Sequence, residues 1–277
     1  MVIPRGPKLR RGSSEPAMKT EFTGKSSALT QAGLAAAASS IAVKPEELWT
    51  VLAVETSGCG FLADRRPQIL FERHIFHRLT NGRFGDSDIS NPVAGGYGPS
   101  GTHQYDRLIR AIALDRTAAL KSASWGMGQI MGENFAITGC SDVESMVAAM
   151  TDSEDAQLKA VAAFIGKSNL AAPLQRHDWR TFASHYNGPS FAANQYDVKL
   201  AAAFQKYSSG AMPDLNLRAV QLYLTFLGCN TGGIDGVSGP RTRAAICSFQ
   251  RTHGLTETGH PDDDLMQTLL RELGAQA

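Results

Sequence analysis

Wherever apolar residues recur in this chain, they recur at the spacing of a helix. Leu48, Val51, Leu52 and Val54 form such a stripe up to Glu55, behind Pro45, Glu46 and Glu47. Proline in the first turn and acids near the positive end of the dipole make that a good helix start. Leu29–Ile41 is rich in alanine, the strongest helix former. Tyr105–Lys121, Val143–Met150, Asp155–Ile165 and Phe191–Tyr207 carry the same period. Alternation suited to a strand is confined to Gln68–Phe71 and its surroundings, enough for a small hairpin. The pattern predicts a mainly α fold and leaves no room for a large sheet.

The helical stripes fall into two groups. Ser208-Ser209-Gly210-Ala211-Met212-Pro213 has linker composition. Beyond it come three short stripes: Leu217, Val220 and Leu224; Ala245, Ile246 and Phe249; Leu265, Met266, Leu269 and Leu270. Three short helices make an accessory module, too small a core for an enzyme. Before Ser27 the chain is rich in Pro, Gly and Ser and holds six Lys/Arg against Glu15 and Glu21. That reads as a flexible basic tail, with Met18 an alternative start. The expected organisation is a tail over 1–27, a main domain over 28–207, a linker over 208–215 and a module over 216–277.

Composition excludes several classes. A net charge of +1 over 277 residues does not suit a strongly basic nucleic-acid binder. Residues 214–271 hold five Arg and no Lys, fewer cations than acids, so a three-helix DNA-binding unit fits poorly. No apolar run is long enough to cross a membrane, and the alanines of Leu29–Val43 are too diluted for a secretion signal. Cys59, Cys140, Cys229 and Cys247 include no CxxC pair. His74 and His77 near Glu72 lack a third clear ligand, so neither metal nor cofactor is expected. Cys59 as a nucleophile is the weaker reading beside an incidental thiol, and a Cys229–Cys247 pair stays open.

Two resemblances sharpen this. Val220-Gln221 through Leu227-Gly228, Ile234-Asp235-Gly236, Gly239 with Thr242, Phe249-Gln250 and Gly254-Leu255 resemble the three-helix peptidoglycan-binding domain of cell-wall hydrolases. The chain departs from that pattern at Gly259-His260-Pro261-Asp262, where the family has Gly-x-x-Thr. Upstream, three ordered segments resemble the phage and bacterial N-acetylmuramidases, distant relatives of goose-type lysozymes and soluble lytic transglycosylases. They are Ala53-Val54-Glu55-Thr56-Ser57-Gly58, with the stretch to Glu72 behind it; Ala123-Ser124-Trp125-Gly126-Met127-Gly128-Gln129-Ile130-Met131-Gly132; and Phe182-Ala183-Ser184-His185-Tyr186-Asn187-Gly188-Pro189. The resemblance implies a lysozyme-like α-helical catalytic domain with at most a small hairpin.

It also implies roles. Glu55 would be the general acid, which works near neutral pH only if its environment raises its pKa. Tyr186 would orient Glu55, while Ser124, Gly126, Met127, Gln129 and Asn187 would line the glycan site. A second carboxylate is left open between Asp64 and Glu72, with Asp86 and Asp88 behind them. The expected activity is hydrolysis of the β-1,4 bond between N-acetylmuramic acid and N-acetylglucosamine by a monomeric phage endolysin. It would wait in the host cytoplasm without a signal peptide, and peptidoglycan would be its one macromolecular partner. A lytic transglycosylase, a secreted bacterial effector and a catalytically dead wall-binding protein are the alternatives. The module would act as a tether, so cutting it should spare activity on short soluble glycans.

Overall fold

The helices start where local chemistry starts them. In the computed structural model, which describes residues 21–55, 59–210 and 212–275, α1 (Gln31–Ser40) follows Thr30, whose hydroxyl accepts from the Gly33 amide. α2 (Pro45–Glu55) opens on its proline and two acids as expected, and the Lys44 amide donates to Glu47 at 2.8 Å. α3 (Arg73–Leu79) follows the first strand. The pattern over Tyr105–Lys121 is two helices rather than one, α4 (Thr102–Ile112) and α5 (Arg116–Lys121). Asp115 breaks it: its carboxylate accepts from the Ala118 amide, and such a cap stabilises a fresh helix start by about 1 kcal/mol. Ser153 is at once the C-cap of α6 (Val143–Asp152) and the N-cap of α7 (Glu154–Lys167). α8 (Ala171–Gln175) and α9 (Trp179–Tyr186) follow. The helix expected from Phe191 begins later, as α10 (Tyr196–Ser209). Pro189–Ala192 form a 3-10 turn, and Gln195 enters the left-handed region at φ 54°, which separates the two.

The hairpin of the sequence reading grows into a three-stranded antiparallel sheet, β1 (Ile69–Phe71), β2 (Ala123–Trp125) and β3 (Ile130–Met131). Leu70 pairs with Ser124, and Ser124 with Met131. Trp49, Trp125, Tyr105, Phe22 and Phe71 are among the buried side chains of the main core, to which α2, α4, α7, α9 and the sheet all contribute. Residues 1–20 of the expected tail, Thr56-Ser57-Gly58 and Ala211 of the linker lie outside the described residues. No described helix is long and apolar enough to cross a membrane.

The module is three helices, α11 (Leu215–Phe226), α12 (Pro240–Thr252) and α13 (Asp263–Ala275). Its two glutamine motifs have one structural job. Gln221 Oε1 accepts from the amides of Asp235 and Gly236, and Gln250 Oε1 from that of Gly259, so each buried amide ties a turn to its helix. This module is docked on the larger unit. Ala28, Cys59 and Phe61 share an apolar cluster with Val220, Leu222 and Ile246, and the Phe61 and Phe226 rings meet edge to face at 6.2 Å. The Ala28 amide donates to the Tyr223 hydroxyl at 3.1 Å, and Arg65 donates to the Leu273 carbonyl at 3.3 Å. At the centre Arg218 makes a two-pronged ion pair with Glu154 at 2.5 and 2.8 Å, both side chains 0% exposed.

Candidate active site

Three segments singled out by motif converge on one helix, α7. The first leaves α2, whose last residue is Glu55; the Glu55 side chain lies outside what is described, and the chain resumes at Cys59. The second is the β2–β3 turn, Gly126-Met127-Gly128-Gln129. The third is the end of α9 at Tyr186, with Asn187 as its C-cap.

Gln157 of α7, 1% exposed, accepts from the Met127 amide at 2.8 Å and donates to the Met150 carbonyl at 2.8 Å. A Cβ on Gly60 would fall 1.9 Å from Gln157 Oε1, and one on Gly128 would fall 2.0 Å from Val161 Cγ2. Those glycines are required because the backbone lies directly on α7. From the other side the Tyr186 hydroxyl donates to the Gly128 carbonyl at 3.1 Å. Its ring stacks on Phe182 at 5.2 Å and meets Phe164 edge-on at 5.6 Å. Gly60, the turn and Tyr186 are thus fixed to one another through α7.

Within the turn the side chains look inward. Ser124 is 5% exposed and Met127 fully buried. Gln129, at φ 48°, accepts from the Ser124 hydroxyl at 2.8 Å and donates to the carbonyls of Gly126 and Gln68. Its amide therefore braces the hairpin, and what the turn offers a ligand is largely backbone. Asn187 is half-buried.

The acids differ sharply in their company. Asp64 accepts from Arg66 Nε at 2.9 Å and Nη2 at 2.6 Å, and Arg66 lies 4.0 Å over the Tyr105 ring, so this pair builds the 61–67 turn. Asp86 and Asp88 are held by Arg110, and Asp88 also by Arg107. Arg107 and Gln104 in turn bind the Tyr97 carbonyl, which shapes the glycine-rich 95–101 loop. Glu72, just after β1, has no arginine partner among the described residues. Its carboxylate is 15% exposed and faces His74 Nδ1 at 3.1 Å and the Tyr97 hydroxyl. Burial pushes its pKa above the ordinary carboxylate range, against the lowering pull of His74 and Tyr97.

His74 and His77 take different partners, His77 meeting the Ser90 hydroxyl at 3.1 Å. Burial, helped by the Glu154 carboxylate, pushes the Cys59 thiol up to about 12, which makes it a poor nucleophile. Cys229 and Cys247 are free thiols. Glu154 and Gln157 were missed in the sequence. Their signal was two polar residues on the face of α7 that also carries Leu158, Val161 and Ile165, all of them buried.

The N-acetylmuramidase family profile matches residues 44–208, more than half of the chain and all three converging segments. The chain belongs to the N-acetylmuramidase family. The "Putative peptidoglycan binding domain" family matches residues 214–269, the docked module. Among solved structures, the Burkholderia AP3 phage endolysin is similar at 39% identity and a TM-score of 0.61, over 66% of this chain and 71% of that one. Among curated proteins, the "Putative OxPP cycle protein OpcA" of Synechocystis sp. is 48% identical over 50 residues. That match spans 18% of this N-acetylmuramidase chain and only 10% of the relative's length.

Proposed function

We propose that this N-acetylmuramidase is a monomeric, wall-degrading endolysin that hydrolyses the β-1,4 bond between N-acetylmuramic acid and N-acetylglucosamine, with Glu55 as general acid. The observation that carries the reading is the convergence on α7 of Gly60, shortly beyond Glu55 in the chain, with the 126–129 turn and Tyr186. Glu55 ends an 11-residue helix, where the negative pole of the dipole disfavours a second negative charge. As general acid, Glu55 would donate its proton to the departing glycosidic oxygen. Backbone groups of the turn and Tyr186 line the site, and Asn187 stands beside them.

For the second carboxylate, Glu72 is favoured over Asp64, because arginines hold Asp64, Asp86 and Asp88 in structural roles. Glu72 would take a proton from the attacking water. The same observation keeps a second reading in view. A lytic transglycosylase needs no such base, since the muramoyl 6-hydroxyl closes the ring, so Glu72→Gln would spare its rate. The partner is peptidoglycan, with no nucleic acid. The site of action is the wall, reached from the host cytoplasm after release by a holin.

The direct test is Glu55→Gln on a suspension of purified sacculi. The amide keeps the shape and has no proton to give, so clearing slows by about 100-fold or more while sacculus binding persists. A variant that clears the suspension near the parent rate removes Glu55 from the role of acid.

A further inference from the structure

Arg218 belongs to the wall-binding module, yet its side chain reaches Trp49 and Glu154 of the catalytic unit. Its guanidinium sits 5.7 Å over the ring of Trp49, and both prongs reach Glu154. Trp49 is on α2, the helix that ends at Glu55, and is 2% exposed. Glu154 Oε1 also accepts from the Gly60 amide at 2.9 Å, and Oε2 from the Leu29 amide at 2.8 Å. Gly60 is on the chain just beyond Glu55, pressed against Gln157 and the Met127 amide. One side chain of the module thus touches the helix before Glu55 and, through Glu154, the segment after it.

We propose that Arg218 is a positioning residue for the glycosidase reaction, acting through Trp49 and Glu154 on the two flanks of Glu55. The inference rests on the reading of Glu55 as the acid. A carboxylate with no exposed surface cannot remain ionised without a partner, and both Arg218 prongs and the amides of Leu29 and Gly60 converge on this one. Without Arg218, Glu154 must take up a proton or admit water. Either change alters its hold on the Gly60 amide, five residues beyond Glu55. A shift of that kind, on the order of 1 Å at a catalytic group, is enough to cost about 100-fold in rate. The module therefore completes the active-site frame as well as binding the wall. Equivalent packing without charge would hold the two units together but would not fix the Gly60 amide by two ionic prongs.

The test uses the full chain with Arg218→Met and with the double variant Glu154→Gln/Arg218→Met. The substrate is a purified soluble glycan fragment of peptidoglycan, which needs no wall binding. Arg218→Met is expected to lower kcat by about tenfold or more with KM changed by less than about threefold, while co-sedimentation with sacculi stays at the parent level. The double variant removes the unpaired buried charge, so it unfolds near the parent temperature even if the single variant does not fold. Its kcat should still be depressed about tenfold, since the ionic hold on Gly60 is gone. A folded double variant with parental kcat would show that the pair only joins two domains, and would overturn the proposal. Glu55→Gln measured alongside separates the two ideas. If it stays active, the acid assignment fails whatever Arg218 does; if it is dead while the Arg218 variants are parental, only the positioning role falls.

Discussion

Asp64 and Glu72 lie on either side of strand β1, and their fates show how far identity alone goes. Both are acids in a stretch the family resemblance covers, but Arg66 turns Asp64 into a structural anion while burial makes Glu72 reluctant to ionise. The raised pKa of Glu72 has a definite thermodynamic sign. Its folded-state value exceeds its unfolded one, so its stabilising contribution is complete below the ordinary carboxylate range and fades as pH rises through the folded value. Glu72→Gln should therefore match the parent in thermal stability at acidic pH and exceed it near neutrality. A constant offset between the two melting curves at all pH values would contradict this. Tyr186→Phe tests a second residue. The ring contacts with Phe182 and Phe164 persist, but the bond to the Gly128 carbonyl is lost. Thermal melting should register about 1 kcal/mol of destabilisation, with a fall in kcat from the loosened turn. Unchanged kcat would detach Tyr186 from the site.

Among the elements, α7 holds the three motif segments together, and its role is also where sequence reading stopped short. The helices with clean caps were legible: Pro45–Glu55 was bounded correctly because proline and two acids mark its start. The strands of the 123–131 segment were not, because they are only three and two residues long and buried, without a visible alternation. Gln129, expected to meet the glycan, also ties the hairpin together through Ser124 and Gly126, a pairing set by strand register that no local pattern announces. The contact between α7 and the turn has a sharp steric consequence. Gly128→Ala brings a methyl into Val161 Cγ2, so the turn must move and activity should drop about tenfold or more. Val161→Ala opens space at a cost of roughly 1–3 kcal/mol in stability, yet in combination it should return much of the lost activity. Purely additive losses in the double variant would mean that the turn is not seated on α7 in the working enzyme.

Across the whole molecule, composition put the boundary between the two units at 208–215, and the family matches run over residues 44–208 and 214–269. What composition did not reveal is that the two units share a core, because the residues concerned come from distant parts of the chain: Ala28, Phe61, Glu154, Arg218 and Tyr223. A chain ended at the linker would expose Phe61 and strand Glu154 without its cation. The expectation of a detachable tether changes accordingly. Truncation should lower the unfolding temperature and reduce activity on short soluble glycans as well as on sacculi, and full retention of soluble activity would restore the tether view. The central claim, glycosidic hydrolysis at muramic acid, is tested most directly by mass spectrometry of sacculi digested with the full-length chain. The account predicts fragments ending in reducing N-acetylmuramic acid, absent with Glu55→Gln; fragments lighter by one water with 1,6-anhydro rings, or reducing N-acetylglucosamine ends, would contradict it.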